Sequence, residues 1–144
     1  MSESRPLYAG SGDPSKRRHD YYPWWLDRLA LGVTGEGAFM QGAAQGSDEI
    51  HAVVGFAREL YEGQEFRFVG DCGPDQFVED YTSVVRGQPV GVMVTVTRNE
   101  RGECQRLVVN HRPLEAVLLL KELMREKFAG TAMERIFVDE HTSP

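Results

Sequence analysis

The spacing of hydrophobic residues changes along the chain and predicts where helices lie. Between Lys16 and Leu31 apolar residues recur at three- and four-residue steps, the helical period, and Pro23 either kinks this helix or begins a second one. The same period runs from Ser47, a predicted N-cap, to the helix-ending Gly63. A final helix is predicted to begin at Pro113 and stop at Gly130.

Extended segments are predicted between these helices. From Glu65 to Arg112 the hydrophobic period becomes two, and three short turns interrupt it, at residues 73–75, 86–89 and 99–102. Four strands joined by short turns predict an antiparallel meander. Residues 33–44 lose the helical period and contain glycines, which favours a short, bent strand pair. Residues 136–138 are expected to add a short strand or to lie over the surface.

The order of these elements predicts an α+β domain. A βαβ pattern is absent from it, so a parallel sheet is not expected. Residues 1–14 are rich in Ser, Gly and Pro and are interpreted as a flexible N-terminal tail, and residues 15–144 as one domain.

Both faces of the central strand are apolar or neutral. The even positions of Val90–Val96 are all Val, and the odd positions are Gly91, Met93 and Thr95. A sheet with one face in water shows a clearer alternation. We therefore expect the second face to pack against another surface, and a homodimer through the sheet face is the simplest candidate.

Composition excludes several classes of function. The 144 residues carry a formal net charge of −6, which argues against a nucleic-acid partner. No apolar run is long enough to span a membrane, and residues 1–12 lack the apolar core of a signal peptide, so a cytoplasmic location is expected. Cys72 and Cys104 are expected to be buried free thiols. No zinc-site spacing, phosphate-binding loop or dinucleotide-binding motif is found, so neither a metal nor a cofactor is expected.

The chain resembles the nuclear transport factor 2-like (NTF2-like) superfamily, particularly its SnoaL-like branch, over roughly residues 16 to 113. The residues that carry the resemblance are the segment Tyr22-Pro23-Trp24-Trp25-Leu26-Asp27-Arg28-Leu29, the helix start Gly46-Ser47-Asp48-Glu49-Ile50, and the strand segments 65–68, 77–81 and 107–113.

This resemblance implies a cone: a curved antiparallel sheet wrapped around N-terminal helices, forming an α+β barrel with a deep apolar pocket. The helix after Pro113 is longer than the family pattern and is treated as an extra C-terminal helix. Members of the family include polyketide cyclases, ketosteroid isomerase, limonene epoxide hydrolase and non-catalytic binding modules, and dimers form through the sheet.

Three residues are candidates for acid/base chemistry of the cyclase or isomerase type, which needs a base and hydrogen-bond donors for an enolate. Asp80 lies in a strand whose even positions are otherwise uncharged, and it is the candidate base if that face is interior. The alternative is that Glu79 and Tyr81 face inwards. His111 ends the last strand and is a candidate acid or base, or a structural histidine. The Tyr21 hydroxyl is a candidate oxyanion donor, or part of the core.

A further set of residues is predicted to line the pocket and bind the ligand, with Asn110 and Arg112 doing so if the last strand has the opposite register: Tyr22, Trp25, Phe39, Val54, Phe68, Asn110 and Arg112. Two functions stay open at this stage. One is an enzyme that acts without a cofactor on a small apolar carbonyl compound or epoxide. The other is a non-catalytic ligand-binding or dimerisation module. Two or more ionisable groups converging in the cavity would favour the enzyme.

Overall fold

The computed structural model describes residues 6–138. Its strands and α-helices are β1 (Leu29–Gly37), β2 (Ala44–Gln45), α1 (Gly46–Leu60), β3 (Glu65–Asp71), β4 (Gln76–Val85), β5 (Gln88–Arg98), β6 (Cys104–Arg112) and α2 (Leu114–Phe128). Short 3₁₀ helices lie at Leu7–Ala9, Pro14–Lys16, Trp24–Asp27 and Ala132–Ile136. The fold is the predicted α+β cone, a curved sheet around helices, with α2 as the extra C-terminal helix.

The strands form one sheet in the order β2-β1-β6-β5-β4-β3. Strands β3 to β6 form the predicted antiparallel meander. One pair departs from the predicted antiparallel sheet, because β1 pairs with β6 in parallel. These two strands are separated by α1 and three other meander strands, so their pairing is not visible in the order of neighbouring elements.

The predicted helix between Lys16 and Leu31 is also wrong. The chain forms only a 3₁₀ helix at Trp24–Asp27, with Pro23 as its N-cap, and β1 then begins at Leu29. The pairing of β1 with β6 is irregular between Leu29 and Thr34, and Gly32 within this stretch has a positive φ of 79°. Ala30 and Val33, three positions apart in this irregular stretch, are both buried.

The C-terminal end of the described chain is part of the core. Ile136 and Phe137 are fully buried at the end of a 3₁₀ helix, so the predicted strand and the predicted surface position are both wrong. Phe137 stacks on Phe128 of α2 with ring centroids 5.6 Å apart, and Phe128 contacts Phe56 of α1 at 6.2 Å. The backbone N–H of Gln41 donates to the Ile136 carbonyl at 2.6 Å. These contacts hold α2 against α1.

The N-terminal segment lies against the outer face of the sheet. Tyr8 packs over Gly91 of β5, and the Ser11 backbone N–H donates to the Glu65 carboxylate at 3.1 Å. Part of the second apolar face is therefore covered by the chain itself. The flexibility predicted for residues 1–14 remains a prediction, and residues 1–5 lie outside the described part of the chain.

Three findings bear on the predictions about membrane segments, metal sites and the two cysteines. Within residues 6–138 no helix is both long enough and apolar enough to cross a membrane. No cluster of three His, Cys, Asp or Glu side chains able to hold a metal ion is found in that same range. The prediction of buried thiols is right for Cys104 and wrong for Cys72, which is exposed.

Gly37 at the end of β1 allows close approach to β6. A Cβ atom at this position would overlap the backbone carbonyl oxygen of Val109, its partner in the parallel ladder. Backbone cannot move aside as a flexible side chain can, so we expect Gly37→Ala to lower the free energy of unfolding by about 2 kcal/mol or more. Gly42 is the matched control, because a Cβ there meets no atom within 4 Å. Urea unfolding of both variants checks this, and a Gly37→Ala protein as stable as Gly42→Ala would contradict the close approach.

Candidate functional site

A cavity opens between α1 and the inner face of the sheet. The empty space between its walls is about 630 Å³, a figure that includes solvent at the open mouth. Its walls are mainly apolar, and a few polar side chains interrupt them. These polar side chains are Tyr21, Glu36, Arg58, Tyr61, Gln64, Glu79, Tyr81 and His111.

Glu79 is the buried carboxyl of this cavity. The pairing of β4 with β5 places it opposite Val94, on the inner face, and its side chain is 2% exposed. The Tyr21 hydroxyl donates to Oε2 of Glu79 at 2.5 Å, and the Trp25 indole Nε1 donates to the same oxygen at 3.0 Å. Two donors on one oxygen leave the other carboxyl oxygen free of any hydrogen bond among residues 6–138.

Burial raises the pKa of Glu79 above its usual value of 4.5. The hydrogen bonds from Tyr21 and Trp25 and the positive charge of Arg58 oppose this effect. The pKa of Tyr21 is also raised, first by burial and then by its hydrogen bond to Glu79. Tyr21 therefore keeps its proton and acts as a donor. The pKa of Glu79 is shifted from that of an exposed carboxyl in the direction of neutral pH.

A second polar pair lies on another wall of the cavity. The Tyr61 hydroxyl and Nε2 of His111 are 2.7 Å apart, and the His111 ring packs against Phe39 with centroids 5.2 Å apart. Burial lowers the pKa of His111 to about 3, so its ring is neutral near pH 7. Nδ1 of His111 is buried and has no hydrogen-bond partner among the described residues. Burial also raises the pKa of Tyr61, which therefore stays protonated.

The two polar groups lie on the same inner face of the sheet, two strands apart. Glu79 aligns with Val94 and, on β6, Val109, whereas His111 lies two residues further along β6. Two strand spacings and two residues amount to roughly 12 Å between the backbones in a flat sheet, and less in a curved one. The side chains reach inwards from both walls, so one small molecule can contact Glu79 and the Tyr61–His111 pair together.

The structure brings five of the predicted site residues to this cavity: Tyr21, Trp25, Phe39, Val54 and His111. The placement of Asp80 in the cavity is wrong. Asp80 has the opposite parity to Glu79 on β4, so it lies on the outer face, where its carboxylate is 3.4 Å from the Arg112 guanidinium. The alternative that Glu79 and Tyr81 face inwards is confirmed.

The other predicted ligand-binding residues lie outside the cavity for identifiable reasons. Asn110 and Arg112 share the outward parity of β6, because His111 is the inward residue between them. An irregularity between Phe66 and Phe68 shifts the phase of β3, so that Phe68 pairs with Asp80 and is 46% exposed. Tyr22 is 47% exposed, and its hydroxyl donates to Asp27 at 2.7 Å.

The sequence prediction missed Arg58 and Tyr61, and it gave Glu79 and Tyr81 only as the alternative to Asp80. A signal for Glu79 was present in β4, since its aromatic residues Phe77 and Tyr81 share the parity of Glu79. Aromatic residues prefer the packed face of a sheet, so their parity was a better guide than the uncharged even positions. No comparable signal marks Arg58, which resembles any helical arginine in the sequence.

The sequence matches no protein-family model and no curated protein. Solved structures are similar in fold. A steroid delta-isomerase from Pseudomonas aeruginosa is 12% identical, with 89% of this chain and 96% of that chain covered and a TM-score of 0.66. An NTF2-like protein from Burkholderia xenovorans is 11% identical, with 74% and 78% covered and a TM-score of 0.52. A SnoaL-like protein from Burkholderia thailandensis is 12% identical, with 61% and 78% covered and a TM-score of 0.50.

At these identities the comparison concerns the fold. It agrees with what the observed sheet order, the inward parity of β4 to β6 and the cavity under α1 already indicate. The chain has the nuclear transport factor 2-like fold, as its resemblance to the SnoaL-like branch predicted.

Proposed function

We propose that this protein is an acid/base enzyme that transfers a proton on a small, mainly apolar carbonyl compound, with Glu79 as the group that exchanges the proton. The observation that supports it is the Glu79 carboxyl itself: 2% exposed, inside an apolar cavity, and with a raised pKa. A base is most effective when its pKa lies near the working pH, and burial moves a carboxyl in that direction.

The proposed step uses only side chains of this chain. The ionised Glu79 carboxylate takes a proton from the carbon beside the carbonyl, and the C–H electron pair forms the enolate. The Tyr61 hydroxyl is the candidate donor to the enolate oxygen. In the tautomer of His111 that carries its proton on Nε2, this N–H donates to the Tyr61 oxygen, and the single proton of Tyr61 is then free for the enolate. Protonated Glu79 then either delivers the proton to another carbon, which gives isomerisation, or first exchanges it with solvent and delivers a solvent proton to the same carbon, which gives exchange. Both routes regenerate the carboxylate.

The convergence of ionisable groups favours an enzyme over the non-catalytic module. Such a module would be expected to offer a lining of apolar side chains only, whereas this cavity holds a carboxyl, an imidazole and three tyrosine hydroxyls. The similar fold of the steroid delta-isomerase agrees with proton transfer on a carbonyl compound. The homodimer through the sheet face belongs to the same proposal, and sedimentation at micromolar concentration tests it.

A proton-exchange assay tests the proposed function without knowledge of the natural substrate. The probe is 2-tetralone, a bicyclic ketone with exchangeable hydrogens beside its carbonyl, in deuterated buffer at neutral pH. We expect the protein to accelerate deuterium incorporation, followed by mass spectrometry, at least about tenfold over buffer. Quenching of Trp25 fluorescence reports binding separately. Binding of 2-tetralone without faster exchange would contradict the proposal and support the binding module.

A further inference from the structure

Arg58 of α1 is the arginine of the described chain that lines the cavity, where it lies at the mouth. It makes no ion pair with the described residues, and it shares this property with Arg17, Arg28, Arg67, Arg86 and Arg101, which do not line the cavity. Six arginines of the described chain pair with a carboxylate within 4 Å: Arg18, Arg98, Arg106, Arg112, Arg125 and Arg135. Arg58 is half-buried, and among residues 6–138 no carboxylate lies within that distance of its guanidinium. A half-buried charge without an ionic partner is costly unless a ligand supplies one.

Neutral groups hold the Arg58 guanidinium in place. Its Nη2 donates to the backbone carbonyl of Tyr21 at 2.9 Å, and its centre lies 4.9 Å above the ring of Tyr22. Neither the carbonyl nor the ring neutralises the positive charge. Only one of the five guanidinium N–H groups is used by these contacts, so the flat edge that binds carboxylates is still available.

Other basic side chains lie near Arg58. A polar pocket adjoins the cavity and shares Tyr21, Arg58 and Tyr61 with it, and Arg18 and His19 contribute to its walls. Arg18 pairs with Asp20, which is 80% exposed, at 3.4 Å. The buried carboxyl of the cavity, Glu79, feels the charge of Arg58 but makes no ion pair with it within 4 Å.

We infer that the ligand of this cavity carries a carboxylate or a similar anionic group, which Arg58 binds at the mouth while the apolar body extends towards Glu79. This inference rests on the proposed function for the role of Glu79, and it adds the substrate class: an apolar carbonyl compound with an anionic end. Glu79 lies deeper than Arg58, at 2% exposure, so an anionic group at the mouth leaves the reacting carbon facing the base.

Two probes of the same shape, one anionic and one neutral, test this inference. Naphthalene-2-carboxylate and naphthalene-2-carboxamide have the same ring system, and calorimetric titration gives the ratio of their dissociation constants. We expect the carboxylate to bind roughly tenfold more tightly to the wild type. Arg58→Met should reduce this ratio to about one while changing the carboxamide affinity less than about twofold. Arg125→Met, which removes an exposed arginine of α2, is the matched control and should keep the wild-type ratio.

The outcomes separate this inference from the proposed function. Any of three results would contradict an anionic end on the ligand. They are a wild-type ratio near one, no binding of the carboxylate, and an Arg58→Met variant that keeps the preference. The preference should persist in Glu79→Gln, because that substitution leaves Arg58 in place. If the protein prefers the carboxylate but does not accelerate exchange of 2-tetralone, the anion site is supported and the proposed reaction is contradicted.

Discussion

Replacing Glu79 with glutamine should abolish the acceleration of 2-tetralone exchange, a loss of at least about tenfold that returns the rate to that of buffer alone. Glutamine has the shape of glutamate and still offers a carbonyl oxygen to Tyr21 and Trp25, but it cannot accept the proton from carbon. The cavity should remain intact, so the affinity for 2-tetralone should change little. The rate constant of deuterium incorporation and the dissociation constant are the two measurements.

Asp80→Asn is the matched control for this prediction. It removes a carboxylate one position further along β4, and the pleat of the strand places that carboxylate on the opposite face with Arg112. We expect Asp80→Asn to retain exchange within about threefold of the wild type. An Asp80→Asn protein without activity, or a Glu79→Gln protein with full activity, would show that the wrong face of β4 has been assigned to the reaction.

Acidification should destabilise the protein through His111. Its pKa is lowered from 6.5 to about 3 in the folded chain, because burial disfavours the charged ring. The unfolded chain thus binds a proton near pH 6.5 that the folded chain rejects, and the contribution of His111 to stability is complete above pH 6.5 and is lost as the pH falls towards 3. The free energy of unfolding should fall by up to about 1.4 kcal/mol per pH unit, roughly 2 kcal/mol between pH 6.5 and 4.5.

A comparison of variants assigns this slope to His111. Glu79 has a raised pKa and therefore the opposite sign: its contribution is present below pH 4.5 and is lost as the pH rises through the folded pKa. That effect occurs in every protein that keeps Glu79, so it cancels between wild type and His111→Gln. We expect His111→Gln to reduce the acid slope and His51→Gln, which changes an exposed histidine of α1, to keep it. Urea unfolding at several pH values measures this, and equal slopes in all three proteins would contradict a buried neutral His111.

The sequence predicts the fold more completely than it predicts the site. Local patterns specify the meander, because a period of two and short turns act between neighbouring strands. The parallel contact between β1 and β6 depends on residues far apart in the chain, such as Gly35 and Leu107, and no local pattern encodes it. The aromatic residues before β1 have helical spacing, but the chain there forms only a short 3₁₀ helix, so spacing alone does not establish an α-helix.

The site depends on strand parity, which a sequence specifies only weakly. The position of His111 on the inner face is predicted correctly, because its apolar neighbours on β6 share that face. Asp80 and Glu79 are adjacent acidic residues, so an error of one residue in the parity of β4 exchanges them. The sequence prediction placed Asp80 inside as the base, whereas Asp80 forms an ion pair on the outer face and Glu79 is buried. The irregularity in β3 moves Phe68 outwards in the same way. Arg58 is recognised only when its neighbours in space are known.

A carbon NMR titration of the glutamate carboxyl groups tests the central claim most directly. The signal of Glu79 is identified as the one that is missing from the Glu79→Gln variant. If the carboxyl is buried inside an apolar cavity, this signal should titrate with a midpoint above the ordinary glutamate value of 4.5. A midpoint at or below 4.5 would mean that Glu79 is solvated or firmly held as a carboxylate, and it would contradict its proposed part in proton transfer.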